Sequence, residues 1–358
     1  MRRIVIVLLV VVPVLAILSS CALRKPVEGE IPFLTLSATV PDSETASGET
    51  QSIRVTRNET IDGRILQIDA EVTLPDWNTM ATIQLGPDAE KESRLVEDWI
   101  LSKYPETKPV RSAYQTDWMV KDGEEILESL TVDTNNVTVN YLNVTNDINS
   151  DSIEKDDIMS WIPHYITELR PPMLEITADE AAKESSTILE QYSCFTYSPW
   201  NVTALDAETT QSSGAYSIKL QPLYDGFPIF GSYSPSQREI IQSCDINAWM
   251  SDKGLFCFYG TLPLKELDRS KIERVLSLDH AVEKIIEDFP IYAIGQNVRI
   301  TRICAAYDLQ GDPIDATCTL IPGWAFECVD SDEHSLYESY YTCFYALETG
   351  EFHLIKYL

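Results

Sequence analysis

Apolar residues recur along this chain with two periods, and the changes from one to the other mark out its elements. Ile65-Leu66-Gln67-Ile68-Asp69-Ala70-Glu71-Val72 alternates as a strand with one buried face does, and so does Val137-Thr138-Val139-Asn140-Tyr141-Leu142. Between them Pro87 opens and Pro105 closes a segment whose Leu95, Val96, Trp99 and Ile100 fall on one helical face. The pattern predicts an α+β unit over 51–172.

The second half shows a longer regularity. Thr177 and Glu180 have capping-box spacing at the head of a helix, and Ala178, Ala181, Ala182, Ser185, Leu189 and Tyr192 follow at helical intervals. One hundred residues on, Ser277 heads a second helix with Leu278, Ala281, Val282, Ile285, Ile286 and Phe289 on one face. Strand-like stretches follow each: 215–220, 224–230 and 246–256 after the first, and 300–309, 320–326 and 343–352 after the second. Both series close on a glycine hairpin, at Gly254 and at Gly350. A duplicated helix-plus-antiparallel-sheet unit is expected, with copies over 173–265 and 266–358.

The first residues follow a different rule. Arg2-Arg3 precede an apolar run from Ile4 to Leu18, which has the length and flanks of a signal peptide. The run ends in Leu18-Ser19-Ser20-Cys21, which resembles a lipobox: small residues admit the backbone to a peptidase cleft, and the Cys21 thiol accepts a diacylglyceryl group. A signal peptide is thus expected over 1–20, and lipidated Cys21 with a flexible Ser-, Thr-, Glu- and Pro-rich tether over 21–50. An uncleaved anchor over Ile4 to Leu23 is the competing reading. Both place the remainder on the outer face of the cell membrane, and two or more acyl chains on one cysteine suffice for stable attachment.

Charge narrows the partners. The chain holds 27 Lys and Arg against 56 Asp and Glu. Clustered cations for phosphate are missing, so nucleic acid is excluded as a partner. The seven cysteines after Cys21 are odd in number and cannot all pair within one chain. Several sit in apolar contexts such as Leu255-Phe256-Cys257-Phe258-Tyr259, where a thiol acts as a small apolar side chain. No CxxC, HExxH, P-loop, GxSxG or dinucleotide-binding glycine pattern occurs. His164, His280, His334 and His353 share no metal-ligand spacing and are expected in surface or capping roles. Asp330-Ser331-Asp332-Glu333 is expected to be a solvated loop. No catalytic residue, metal or cofactor is expected.

Gly226-Phe227-Pro228-Ile229, Leu320-Ile321-Pro322-Gly323-Trp324 and Tyr345-Ala346-Leu347-Glu348-Thr349-Gly350-Glu351 resemble the PepSY-type module. They are more similar to the C-terminal domains of the YycH and YycI regulators and of uncharacterised clostridial-type surface lipoproteins. The likeness covers about 175–358. It implies a non-catalytic binding or regulatory module of the Gram-positive envelope, meeting a protein or peptide partner through its sheets. YycH and YycI keep an uncleaved membrane helix, from which this chain departs at Cys21. A lipoprotein that captures a solute or peptide, acting as a small-ligand sensor, is the alternative.

Overall fold

The computed structural model describes residues 33–35, 52–113, 115–123, 125–133, 138–143, 175–205, 215–231, 246–261, 263–312, 317–331 and 338–356. Leu18, Ser19, Ser20 and Cys21, with the whole signal segment 1–20, lie outside the described residues. So do His164, His334 and Cys244. No helix among the described residues is long and apolar enough to cross a membrane.

Within the tether expected over 21–50, Phe33–Thr35 forms a short strand, β1. Then follow β2 (Ser52–Ile61), β3 (Arg64–Thr73) and β4 (Ala81–Pro87). Helix α1 (Ala89–Val96) starts at Asp88, whose carboxylate accepts from the Lys91 amide, and carries Glu90 and Glu92 in its first turn. It runs into a wider π turn over Glu97–Leu101, where the Ser102 amide reaches Glu97 O at 2.8 Å. β5 (Val110–Arg111), β6 (Gln115–Asp122), β7 (Glu125–Asp133) and β8 (Thr138–Asn143) complete the first part.

Helix α2 (Ala178–Glu190) begins on the capping box expected for it. The Glu180 amide donates to Thr177 Oγ1, and the Thr177 amide donates to Glu180 Oε2. It leads into β9 (Thr196–Leu205), β10 (Ala215–Tyr224), β11 (Phe227–Gly231), β12 (Ile246–Ser251) and β13 (Gly254–Thr261). After β14 (Leu264–Lys271) and β15 (Arg274–Leu276), Ser277 caps α3 (Leu278–Glu287), which a single turn, α4 (Phe289–Tyr292), extends. The chain closes with β16 (Asn297–Asp312), β17 (Thr317–Ser331), β18 (Ser339–Ala346) and β19 (Phe352–Lys356).

Eight of these strands pair antiparallel in the order β5-β6-β7-β8-β13-β12-β10-β9. One row of partners crosses seven of them: Trp118, Leu130, Tyr141, Phe258, Ala248, Ile218 and Val202. All but the half-buried Val202 are buried, because alternation brings every second residue of each strand to one face. α2 packs on β9, β10 and β12, and the π turn packs on β7. Trp99 of that turn lies edge-on to Tyr141 at 4.3 Å and Phe258 at 5.4 Å.

The second sheet is built around the long hairpin β16–β17. β3 and β11 pair parallel to two stretches of β16, while β18 and β4 pair antiparallel to two stretches of β17. β2, β19 and β14 then add to β3, β18 and β4. No path of pairings returns to its start among the described strands, so this is an open, branched, mixed sheet. The overall class is α+β, with sheet predominating. The two parallel pairings depart from the purely antiparallel sheets expected.

The expected boundary at 172/173 does not divide the sheets. β8 pairs with β13, β3 with β16, and β4 with β14 and β17, so strands from 51–172 are members of both sheets. β11 likewise joins the segment 173–265 to β16 in 266–358. A strand inside one expected unit exposes unpaired backbone groups, and the next unit satisfies them.

Cys194, Cys304, Cys318, Cys328 and Cys343 are free thiols, the last three buried. Burial pushes the thiols of Cys194, Cys304 and Cys318 up to about 12, and Cys343 also upward. Cys328 Sγ stands 3.9 Å from Cys343 Sγ. Thiolate is the reactive form. Cys318 and Cys343, and Cys328 through its burial, should resist iodoacetamide in the folded protein and react fully in denaturant; mass analysis showing native modification would contradict this.

Candidate functional site

Among the described residues no group of three or more His, Cys, Asp or Glu is placed to hold a metal ion. His280 has the capping role expected of it: its Nδ1 lies 2.8 Å from Ser277 Oγ, the atom that accepts from its own amide. Among the described residues three carboxylates are buried: Glu128, Asp308 and Asp330. A buried charge needs partners, so each is an accounting question.

Two are answered by structure. Glu128 on β7 takes Lys103 Nζ at 2.8 Å and the Tyr141 hydroxyl, tying the end of the π turn to the first sheet. Burial, followed by that contact with Glu128, pushes the Tyr141 phenol upward, so it stays a donor. Asp330 ends β17 and accepts from the Ile294 and Gly295 amides at 2.8 and 2.9 Å, and from the Tyr341 hydroxyl at 3.4 Å. It is thus a buried acceptor pinning the loop after α4, whereas a solvated loop was expected at 330–333.

Asp308 is different. Its Oδ2 lies 2.7 Å from His353 Nδ1 and accepts from Gln310 Nε2 at 3.0 Å, but its Oδ1 has no partner. The Asp308 side chain is 0% exposed and that of His353 14%. His353 Nε2, on the other side of the ring, faces Glu351 Oε1 at 3.7 Å. Burial opposes a charge on this imidazole. The hydrogen bond and charge of Asp308, with Glu351 adding to them, outweigh burial and leave its pKa above the ordinary histidine value. His353 is therefore neither a surface nor a capping residue, as had been expected of it.

The contact depends on how the second sheet bends. Asp308 is on β16 and His353 on β19, three strands away. The register runs Cys304, Ala325, Phe344, His353, so the in-line neighbour of His353 on β16 is Cys304. In a flat sheet β16 and β19 would stand roughly 14 Å apart. Here the sheet curls over a concave face floored by Phe230, Ala306, Ala325, Phe344, Ala346 and Ile355. Gly323 makes room for the bend: a Cβ there would lie 2.1 Å from Phe344 Cζ and 2.6 Å from the Tyr345 carbonyl oxygen. The His353 ring stacks on Phe344, with centroids 5.9 Å apart and planes at 10°.

β19 is also a sheet edge, paired on one side among the described residues. Other edges carry devices that resist a further strand. β9 has Pro199 and a bulge opposite Lys219 and Leu220; β14 exposes Lys265, Glu266, Asp268, Arg269 and Lys271; β2 presents Arg54, Arg57 and Glu59. β19 reads Phe352-His353-Leu354-Ile355-Lys356, with no proline and no register shift against β18.

The chain is therefore an α+β protein with two open sheets, one of which ends, among the described residues, in the edge strand β19, whose His353 contacts the buried Asp308. No protein-family profile matches it, and no curated protein does. Among solved structures, an uncharacterized protein from Eubacterium rectale ATCC 33656 is similar at a TM-score of 0.55 and 14% identity, over 84% of this chain and 93% of that one. That likeness shows a shared fold. The Bacillus megaterium YpeB C-terminal domain overlaps at a TM-score of 0.33 and 10% identity, over 76% of this chain and 99% of that one, which carries no argument.

Proposed function

We propose that the protein is a lipid-anchored, extracytoplasmic binding or regulatory module of a Gram-positive-type envelope, without catalytic chemistry, that takes up an extended segment of a protein or peptide as an added strand. The observation that carries this is the edge of β19, which among the described residues pairs with β18 alone, since strand addition draws affinity from unpaired backbone groups and specificity from alternate side chains. The anchor rests on Leu18-Ser19-Ser20-Cys21. The PepSY-like, YycH- and YycI-like repeat belongs to the same proposal. Its support is an order of pairing common to both parts: α2 is followed by β9-β10-β12-β13 and α3 by β16-β17-β18-β19, each four strands paired in sequence.

Photo-crosslinking in intact cells tests the edge. A photoreactive residue at Leu354 should give an adduct mapping to an extended partner segment, and one at Arg57 of β2 should not. Absence of any macromolecular adduct at Leu354 would remove the reading and favour capture of a small solute. Separately, Cys21→Ala should abolish metabolic labelling with palmitate; labelling that persists would overturn the lipid anchor.

A further inference from the structure

We propose that the contact between His353 and Asp308 is a proton-held clasp: with the imidazole charged it ties β19 across the concave face to β16, and loss of that proton releases the edge strand. Backbone pairing joins β19 to β18 alone among the described residues. His353 bypasses two strands to reach Asp308, so this side-chain contact holds the curl of β19 toward β16 in a way that no ladder bond does.

Asp308 is fully buried, one of its oxygens has no partner, and no lysine or arginine among the described residues pairs with it. The other titratable groups facing the imidazole can be named. Glu351 comes from the turn before β19, and Cys304, on β16, has a thiol raised so far by burial that it stays neutral. β11, β17 and β18 present Phe230, Ile321, Ala325, Phe344 and Ala346 to the same face, none of which titrates. A proton on His353 is thus what neutralises Asp308. When it leaves, the carboxylate keeps its hydrogen bonds from Gln310 Nε2 and the neutral ring but loses the balancing positive charge above an apolar floor, a state that opening of the strand relieves.

The sign follows from linkage. A histidine whose pKa is raised by folding contributes stability that is fully present below its unfolded value of about 6.5 and is lost as pH rises through the folded value. β19 is accordingly held tightest in mild acid and loosened in mild alkali. The effect on strand uptake rests on β19 being the acceptor edge; the clasp does not, and it can be read on the chain alone.

The experiment uses the mature chain with no partner added, between about pH 5.5 and 8.5. Imidazole resonances, with His353 assigned by its disappearance in His353→Gln, should titrate above the ordinary value in the wild type and move down in Asp308→Asn. Amide exchange over 352–356, corrected for intrinsic rates, should accelerate with pH in the wild type more than exchange over 246–251, and the excess should vanish in Asp308→Asn. A His353 that titrates at or below the ordinary value would overturn the clasp, as would equal pH responses of the two segments in the wild type. The second comparison decides the matter even if Asp308→Asn fails to fold. A failed crosslink at Leu354 with a positive exchange result would sink the acceptor reading and leave the clasp standing.

Discussion

Trp324→Ala should cost about 3–5 kcal/mol, seen as a lower urea midpoint at unchanged slope. Trp324 is among the largest fully buried side chains and sits in the middle of β17, with Ala305 on one side and Tyr345 on the other. Its indole packs edge-on against Trp77 at 5.1 Å, and Nε1 donates to the Leu276 carbonyl at 2.8 Å. Alanine would empty that space and strand the carbonyl where β15 meets α3. Trp324→Phe keeps most of the packing and loses the donor, so about 1–3 kcal/mol is expected from it. An alanine variant within about 1 kcal/mol of the wild type would show that β15 and α3 do not depend on this contact.

His353→Leu should be comparably damaging, about 3–5 kcal/mol near neutral pH, because it takes the imidazole from the buried Asp308 carboxyl and leaves Gln310 as the remaining side-chain partner. Removing both charges with Asp308→Leu and His353→Leu together should recover most of that loss. The double-mutant cycle isolates the pair energy, and additive losses would mean that the two side chains act independently.

The helices were legible because their signals are local. Thr177 with Glu180, and Ser277 with its apolar face, mark starts that the backbone adopts, and Leu95, Val96 and Ile100 are buried as their spacing implies. The hairpins at Gly254 and Gly350 were legible for the same reason, with positive φ of 106° and 66° where β12 turns into β13 and β18 into β19, whereas the turn at Asp225-Gly226, at 50° and 82°, falls inside the stretch 224–230 expected to be one strand. Strand partnership was not. Nothing near Ile65 announces that it will lie beside Asn297, and nothing near Tyr141 announces Phe258, since a strand's period gives its face and not its neighbour. The division at residue 172 failed on that point.

The Asp308–His353 pair was hidden for a related reason. The residues are 45 positions apart, and no spacing connects them. The readable trace was indirect: Ala306, Gly323, Ala325 and Ala346 supply the small side chains that a sharply curled sheet needs. Their purpose shows only once β16, β17 and β18 are placed in register.

The short strand β1 bears on where a partner can be met. It is fastened to β15 through Phe33↔Leu276, Leu34↔Val275 and Thr35↔Arg274, so on the proposed lipid anchor residues 22–32 have to span the distance from Cys21 to β1. Even fully drawn out, that length reaches about 40 Å. The stretch is thus no longer than a bilayer with its headgroups is thick, about 40–45 Å. On that proposal the face bearing β15 would stay within that distance of the lipid, and a partner at the membrane would be better placed than one in the outer wall.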